Sequence, residues 1–449
     1  MKTAYNGMPV PKGSRITWNG DNLVVPKDPI IPSFRGDGIG PELTSASHAI
    51  IDAAIALMYR DRHIVRFPLD ASEDAFAKFG NYLPDDSLAA MADFVFSTKG
   101  PWGTPNSGGR ESGTVRSRRA NDLYQNIRPV FHIPGVPSNM KNADKVDVVL
   151  FRENMEGGYG GVEAAPNSER AKRVAKAFNE DGFSVPEEDT AMGLFIATKD
   201  GTKRIARAAI KFALDNNRKV VTIVAKSNIK KQSEGCFLTW AMEVAKEEFA
   251  DAFISEADFK TKYNWQVPEG KLLVNHRIPD AMCAEIIRRP EIYSVLLCNN
   301  DFGDIISDLI AELTGGLAVH GGENAGKRAF LYEAIGGTAD DIAGKGICNP
   351  MSLVMAETMM LRRMRWSKAA DLVIAGLRKT VGDRTVTGDL ASKMVRPKAK
   401  KVLNTNEFKD AVIANMKAIA AASAKSTSPR KCRATTGTCK CKCKKGAQA

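Results

Sequence analysis

Apolar positions along the chain fall into two rhythms. Short continuous apolar runs occur in "PIIPSF" (29–34), "MADFVFSTKGP" (91–101), "KVDVVLFREN" (145–154), "KVVTIVAKSN" (219–228) and "YSVLLCNN" (293–300). Runs of this length, rich in Val, Ile and Phe, read as buried strands. Between them, "LTSASHAIIDAAIALMYR" (43–60) and "TKRIARAAIKFALDNN" (202–217) repeat apolar residues at helical spacing. Strands alternating with helices predict an α/β architecture with a substantial sheet. Each strand run ends in polar residues, and the carboxyl ends of strands are where such folds place ligands. No internal repeat is present. The stretch 163–195 reads as an insertion between two strand-rich regions.

One helical stretch is unusual. In "NDFGDIISDLIAELTGG" (300–316), Asp304 and Asp308 lie four apart at the head of a segment expected to bury Ile305, Leu309 and Leu313. That spacing sets both carboxylates on one helix face. Two readings stand: capping and dipole compensation at a helix start, or a pair of ligands for a divalent cation.

Composition changes the picture only at the end of the chain. The 449 residues are 43% hydrophobic, with no apolar run long enough to span a membrane and no secretory leader at the start. A cytoplasmic protein is expected. Eight of the net twelve positive charges fall within 425–449, which leaves +4 for the rest. Cys432, Cys439, Cys441 and Cys443 crowd the same tail, whereas Cys236, Cys283, Cys298 and Cys348 are scattered and read as reduced thiols. The tail lacks paired CxxC spacing, so it reads as a disordered basic extension rather than a zinc site. Its charge could touch nucleic acid or acidic surfaces weakly, in a salt-sensitive way.

The chemistry-bearing residues cluster at the ends of elements. "GDGIGPE" (36–42) is GxGxG followed by Pro, which departs from the GxGxxG dinucleotide fingerprint and suits a tight strand-to-helix turn. "SGGRESGTVRSRRANDLYQNIRPV" (107–130) and "FRENMEGGYGG" (151–161) bring Ser112, Thr114, Arg118, Arg128, Arg152 and Tyr159. Arginines are ordinarily solvated surface charge, but three at strand or loop ends near glycine-rich turns could instead clamp a polycarboxylate through bidentate forks. "AKSN" (225–228) sets Lys226 directly after a buried strand, where a lysine needs a charge partner or a route to water. It is a candidate acid–base group.

Together with "IPDAM" (278–282) and "GGTADDIAGKGICNP" (336–350), these stretches resemble, in order and spacing, the isocitrate/isopropylmalate (β-decarboxylating) dehydrogenases. Residues from about 15 to 418 are similar to its bacterial-type isocitrate dehydrogenase branch. The resemblance implies a non-Rossmann α/β fold with large and small domains. The large domain would take 1–123 and 315–424, the small domain 124–156 and 202–314, and a dimer clasp 157–201, with the tail at 425–449. It implies metal-dependent oxidative decarboxylation of isocitrate by a homodimer. Asp304 and Asp308 would hold Mg²⁺ or Mn²⁺ with Asp280 from the partner subunit. Arg118, Arg128, Arg152, Ser112 and Thr114 would bind substrate, and Tyr159, Lys226 and Asp280 would act in catalysis. Thr104, Asn228, Gly337, Thr338, Asp341, Ile342 and Asn349 would meet the nicotinamide cofactor.

Five positions depart from the family in ways that bear on that cofactor. Gly336 stands where the family has an adenine-packing His. Asp341 and Ile342 replace the Lys and Tyr of NADP users, and Gly388 and Ser392 replace a Tyr and an Arg. A carboxylate accepts from ribose hydroxyls and opposes a 2′-phosphate, so NAD is expected over NADP. Thr114 stands where Asn is common. A relative acting on homoisocitrate, isopropylmalate or tartrate remains an alternative, although Ser112 argues against isopropylmalate. So does a non-catalytic regulatory subunit, although Tyr159, Lys226, Asp280, Asp304 and Asp308 are all present.

Overall fold

The computed structural model describes residues 2–104 and 112–427, the last four of them by backbone alone. The basic tail from 428 on, with its four cysteines, lies outside the described residues. Eleven strands form the main sheet. They are β1 (Ile30–Phe34), β2 (Val65–Pro68), β3 (Phe96–Lys99), β4 (Gln125–Phe131), β5 (Asp147–Glu153), β6 (Val220–Val224), β7 (Phe253–Ile254), β8 (Leu272–Arg277), β9 (Val295–Cys298), β10 (Gly321–Ala325) and β11 (Phe330–Ala334). Across the sheet they run β7-β8-β6-β9-β5-β4-β10-β11-β3-β1-β2. The five apolar runs noted in the sequence form β1, β3, β5, β6 and β9.

Two parallel blocks are joined in the middle. One is β7-β8-β6-β9-β5, the other β11-β3-β1-β2. Strands β4 and β10 lie between them and pair antiparallel with each other and with their outer neighbours. Parallel strands need both faces covered. The covering helices include α1 (Gly40–Met58), α2 (Gly113–Ala120), α3 (Lys199–Asp215), α4 (Pro279–Arg288), α5 (Asn300–Glu312), α6 (Met351–Arg363), α7 (Ser367–Gly382) and α8 (Thr405–Thr427). The largest core cluster runs from Ile31 and Ile50 through Phe151 and Ile223 to Val373 and Met416, all buried.

"GDGIGPE" is a strand-to-helix turn. Helix α1 begins at Gly40 with Pro41 in its first turn, where a missing N–H costs nothing. Gly36 and Gly38 both take positive φ, and a Cβ on Gly38 would stand 2.1 Å from the Thr338 carbonyl oxygen. The Ile39 N–H donates to that same oxygen at 2.9 Å, so this turn buttresses the 336–350 loop.

The insertion folds as a small appendage. Strands Glu163–Ala164 and Met192–Gly193 pair antiparallel around a helix, Glu169–Glu180, whose N-terminus Ser168 caps. Of that helix Ala171 and Ala175 are buried, whereas Phe178, Phe183 and Leu194 stand exposed. No helix among the described residues is long and apolar enough to cross a membrane. Cys236, Cys283, Cys298 and Cys348 are free.

Helix α5 differs from its expected form in two ways. It begins at Asn300, capped by the Asn299 side chain, which accepts from the Phe302 N–H at 2.9 Å. Asp304 therefore sits beyond the first turn and has no capping role, and Asp301 is the first-turn acid. The buried stripe is Ile306 and Ile310, while Ile305 is 59% exposed. Adjacent apolar residues, Ile305 with Ile306 and Leu309 with Ile310, left the phase of the helix ambiguous, and packing against β9 and β5 chose 306 and 310.

Candidate active site

Successive side chains of a strand point to opposite faces. Arg128 on β4 and Arg152 on β5 rise on one face of the sheet, and Arg118 from α2 meets them. All three are buried and line one cavity of about 390 Å³. Thr104, Ser112, Thr114, Tyr159 and Asp304 line it too. The Thr104 and Ser112 hydroxyls are 3.1 Å apart.

A fixed polar lattice aims the arginines. Arg118 Nε donates to Asn324 Oδ1 at 2.9 Å and its Nη2 to Glu333 Oε1 at 3.3 Å. Arg128 Nε donates to Asn126 Oδ1 at 2.8 Å and its Nη1 to Ser307 Oγ at 2.6 Å. Arg152 Nε donates to Asn300 Oδ1 at 2.9 Å. Burial, with Arg118 and Arg128 alongside, pushes Arg152 down to about 9. Crowded, desolvated cations of this kind favour an anionic guest.

Asp304 and Asp308 lie on one face of α5 at the mouth of this cavity. Arg152 Nη1 donates to Asp304 Oδ1, and Arg128 Nη1 to Asp308 Oδ1 at 2.9 Å. Burial raises the Asp308 carboxyl despite Arg128. Among the described residues neither Oδ2 accepts a hydrogen bond, and both side chains are well exposed. Hard carboxylate oxygens with a free side suit Mg²⁺ or Mn²⁺. Two such ligands are short of a set, and the described residues bring no third His, Cys, Asp or Glu to them.

Asp280 is held elsewhere. It opens α4 and pairs with Lys226 Nζ, which lowers the Asp280 carboxyl. Lys226 follows β6, and its N–H donates at 3.0 Å to Glu234, which also holds Asn299. Neither Lys226 nor Asp280 lines the cavity formed by their own chain. Tyr159 does, 48% exposed, on a turn fixed by the Gly158 N–H to Asp301 Oδ2 at 2.8 Å. Its phenol is raised by burial and by Asp304 and Asp301. Arg152 lies 5.8 Å from its ring centroid.

The 336–350 loop leaves the cavity rim at Gly336. A Cβ at Gly336 or Gly337 would meet nothing within 4 Å. Thr338 offers its carbonyl to Ile39, Asp341 is exposed, and Ile342 packs partly against the core. Asn349 is buried, with Nδ2 donating to Asp389 Oδ2 at 3.0 Å, which ties the loop to the helix Gly388–Lys393. Asn228 is exposed beyond β6.

Lys99 and Glu333 were missed in the sequence. Both are buried in the cavity floor, 2.9 Å apart, with Lys99 Nζ 4.7 Å from the Trp102 ring centroid. Burial would raise Glu333, but Lys99 and Arg118 hold it well below the usual carboxylate range. The available signal was a single charge at the end of each strand, in "STKGP" and "FLYEA".

A second buried acid, Glu153, lies next to Arg152 where β5 leads into the insertion. Burial pushes it up to about 7, although the Met155 and Glu156 N–H groups donate to it. A carboxyl raised in the folded state stabilises the fold below its unfolded pKa, and that stability is lost as pH rises through the folded value. Glu153→Gln should therefore gain relative to the parent between about pH 5 and 8, by about 1–3 kcal/mol. Urea denaturation at both pH values checks it, and a pH-independent difference would be the contrary result.

With this geometry in view, comparison with known proteins is specific. The isocitrate/isopropylmalate dehydrogenase family matches residues 30–412, and the chain belongs to it. An isocitrate dehydrogenase [NADP] from Archaeoglobus fulgidus is 38% identical over 412 residues, 92% of this chain and 98% of that protein. One from Pseudomonas aeruginosa is 38% identical over 421 residues, 92% of this chain and all of that one. The crystal structure of isocitrate dehydrogenase from Methylococcus capsulatus superposes with a TM-score of 0.71 at 32% identity, covering 87% of this chain and 99% of that chain.

These relatives overturn the expectation of NAD, since both carry NADP in their names. The expectation weighed four positions and one carboxylate. Asp341 is exposed, where water and salt screen its charge. Cations close by in the sequence went uncounted: Lys345 in the same loop and Arg396 four residues beyond Ser392 have no ion-pair partner among the described residues.

Proposed function

We propose that this protein oxidatively decarboxylates isocitrate to 2-oxoglutarate with reduction of NADP. The observation that carries the reading is the convergence of Arg118, Arg128 and Arg152, all buried, beside Asp304 and Asp308. Among the residues lining the cavity, four cations face two carboxylates, an imbalance suited to a polycarboxylate. The arginine forks orient the substrate carboxylates, and the Ser112 and Thr114 hydroxyls meet the one distal to the reacting carbon. Asp304 and Asp308 would hold a divalent cation, which when bound supplies charge to the substrate hydroxyl and carbonyl oxygens.

The third carboxylate, Asp280, then comes from a second copy, and Lys226 with it. Exposed Phe178, Phe183 and Leu194 on the insertion support a homodimer. Lys226 Nζ takes the proton from the substrate hydroxyl, relayed by Asp280, and the Tyr159 hydroxyl returns one to carbon after loss of CO₂. NADP when bound accepts the hydride. Lys345, four residues beyond Asp341, and Arg396, four beyond Ser392, are the basic residues we assign to its 2′-phosphate, from their place in the sequence.

The test is purified protein with Mn²⁺, isocitrate and NADP, followed by the absorbance of reduced nicotinamide. Reduction with isocitrate and none with isopropylmalate supports the reading, and the reverse defeats it. Lys345→Ala combined with Arg396→Ala should raise KM for NADP by about tenfold while KM for isocitrate stays put. Equal KM values for NADP would remove these two cations from phosphate recognition.

A further inference from the structure

The alternation that points Arg128 and Arg152 into the candidate active site turns their neighbours the other way. Ile127, Phe131 and Val149 face the opposite side of the sheet, where they floor a second cavity of about 1090 Å³. Phe212 of α3 forms one wall, and Met355 of α6 and Ile374 of α7 form the other. The cavity is a gap in the helical layer, left where α3 covers β5 and β9 and α6 covers β10 and β11. At about 1090 Å³ this largely apolar cavity is as roomy as the biggest small-molecule pockets.

The charges that line it select the guest. Arg218 pairs with Asp147 at 2.8 Å, Arg362 with Asp371 at 2.7 Å, and Arg363 with Glu323. Lys379 is taken by Asp383 at 2.6 Å. Arg378 also lines the cavity, and among the described residues it has no partner. The lining acids Asp147, Glu323 and Asp371 are thus matched, and the cation Arg378 is left over. The composition of the chain's own tail does not match the cleft. Beyond residue 425 it is basic, like Arg378, and contains no Leu, Ile, Val, Met or aromatic residue to bury.

We propose that this cleft binds an amphipathic carboxylate, with an alkyl chain on the Ile127–Phe131–Val149 floor and its carboxylate on Arg378. Such a ligand covers the apolar floor and walls and supplies a charge-assisted hydrogen bond to Arg378. The site stands independently of the activity proposed above.

Isothermal titration of the full chain with laurate, kept below its micellar concentration, and with dodecanol provides the test. One saturable laurate site per chain is expected, with dodecanol weaker. Arg378→Gln should weaken laurate by roughly tenfold and leave dodecanol unchanged. Ala375→Trp, which fills the cleft, should abolish both; Met359→Trp serves if that variant fails to fold. Melting temperature and isocitrate turnover should be unaltered in each. Absence of saturable binding, dodecanol as tight as laurate, or binding indifferent to the tryptophan would overturn the proposal. Self-association through this face, blocked by the tryptophan but untouched by laurate, would assign the cleft to a second copy instead.

Discussion

Asp304→Asn and Asp308→Asn should each leave the fold intact and lower isocitrate turnover by about a thousandfold or more, equivalent to about 4 kcal/mol. Each change keeps the side chain's shape and removes one of two anionic oxygens on the same face of α5. A divalent cation loses both charge attraction and a hard ligand. The two variants should differ in a second respect. Asp304 neutralises Arg152, which burial already presses toward deprotonation, so its loss leaves a more crowded cluster of cations. Asp308 pairs with Arg128, which Ser307 and Asn126 also hold. Asp304→Asn should therefore show the larger fall in melting temperature. Mn²⁺ binding, followed by electron paramagnetic resonance, separates ligand loss from damage to catalysis. Retention of parental Mn²⁺ affinity in both variants would show that the pair does not hold the ion.

Lys226→Met and Tyr159→Phe should lower turnover by about 10²–10⁴-fold each, the usual worth of a positioned proton carrier. Their steps should differ. Tyr159 lines the cavity of its own chain, whereas Lys226 pairs with Asp280 away from it. If Lys226 serves the site of a second copy, mixing inactive Lys226→Met with inactive Asp304→Asn subunits should restore activity. A mixed dimer then holds one site with both residues intact, so up to a quarter of parental sites become active by random pairing. No recovery on subunit exchange, with dimers demonstrably mixed, would place both residues in one chain's site. Hydride transfer undiminished in Lys226→Met would exclude its amine from proton removal.

The residues with separable local signals were legible before any coordinates. Val, Ile and Phe runs ending in Arg, Lys or Asn marked five strands and the polar groups beyond them. Pro41 after a glycine pair marked a turn, and Asp304 with Asp308 marked one helix face while leaving capping and cation binding both open. Several motifs in one order identified the family, because chance matches multiply down quickly. The cofactor was misjudged, since charge at a loop was weighed residue by residue while phosphate binding depends on every cation within reach.

What the sequence by itself determined is the set of strands and helices, the polar groups at their ends, and the family whose motifs carry the acid pair Asp304–Asp308 and the arginines. The tertiary structure alone decided which of Ile305 and Ile306 is buried, because a helix with adjacent apolar residues takes its phase from what it packs against. It decided that Glu333 binds Lys99 and Arg118, partners more than two hundred residues away in the chain, whose pairing follows from strand order. It separated Lys226 and Asp280 from the cavity their chain forms. It also opened the cleft behind β4 and β5, since alternation dictates which side chains face away from the site, while only the spacing of helices decides whether anything covers them.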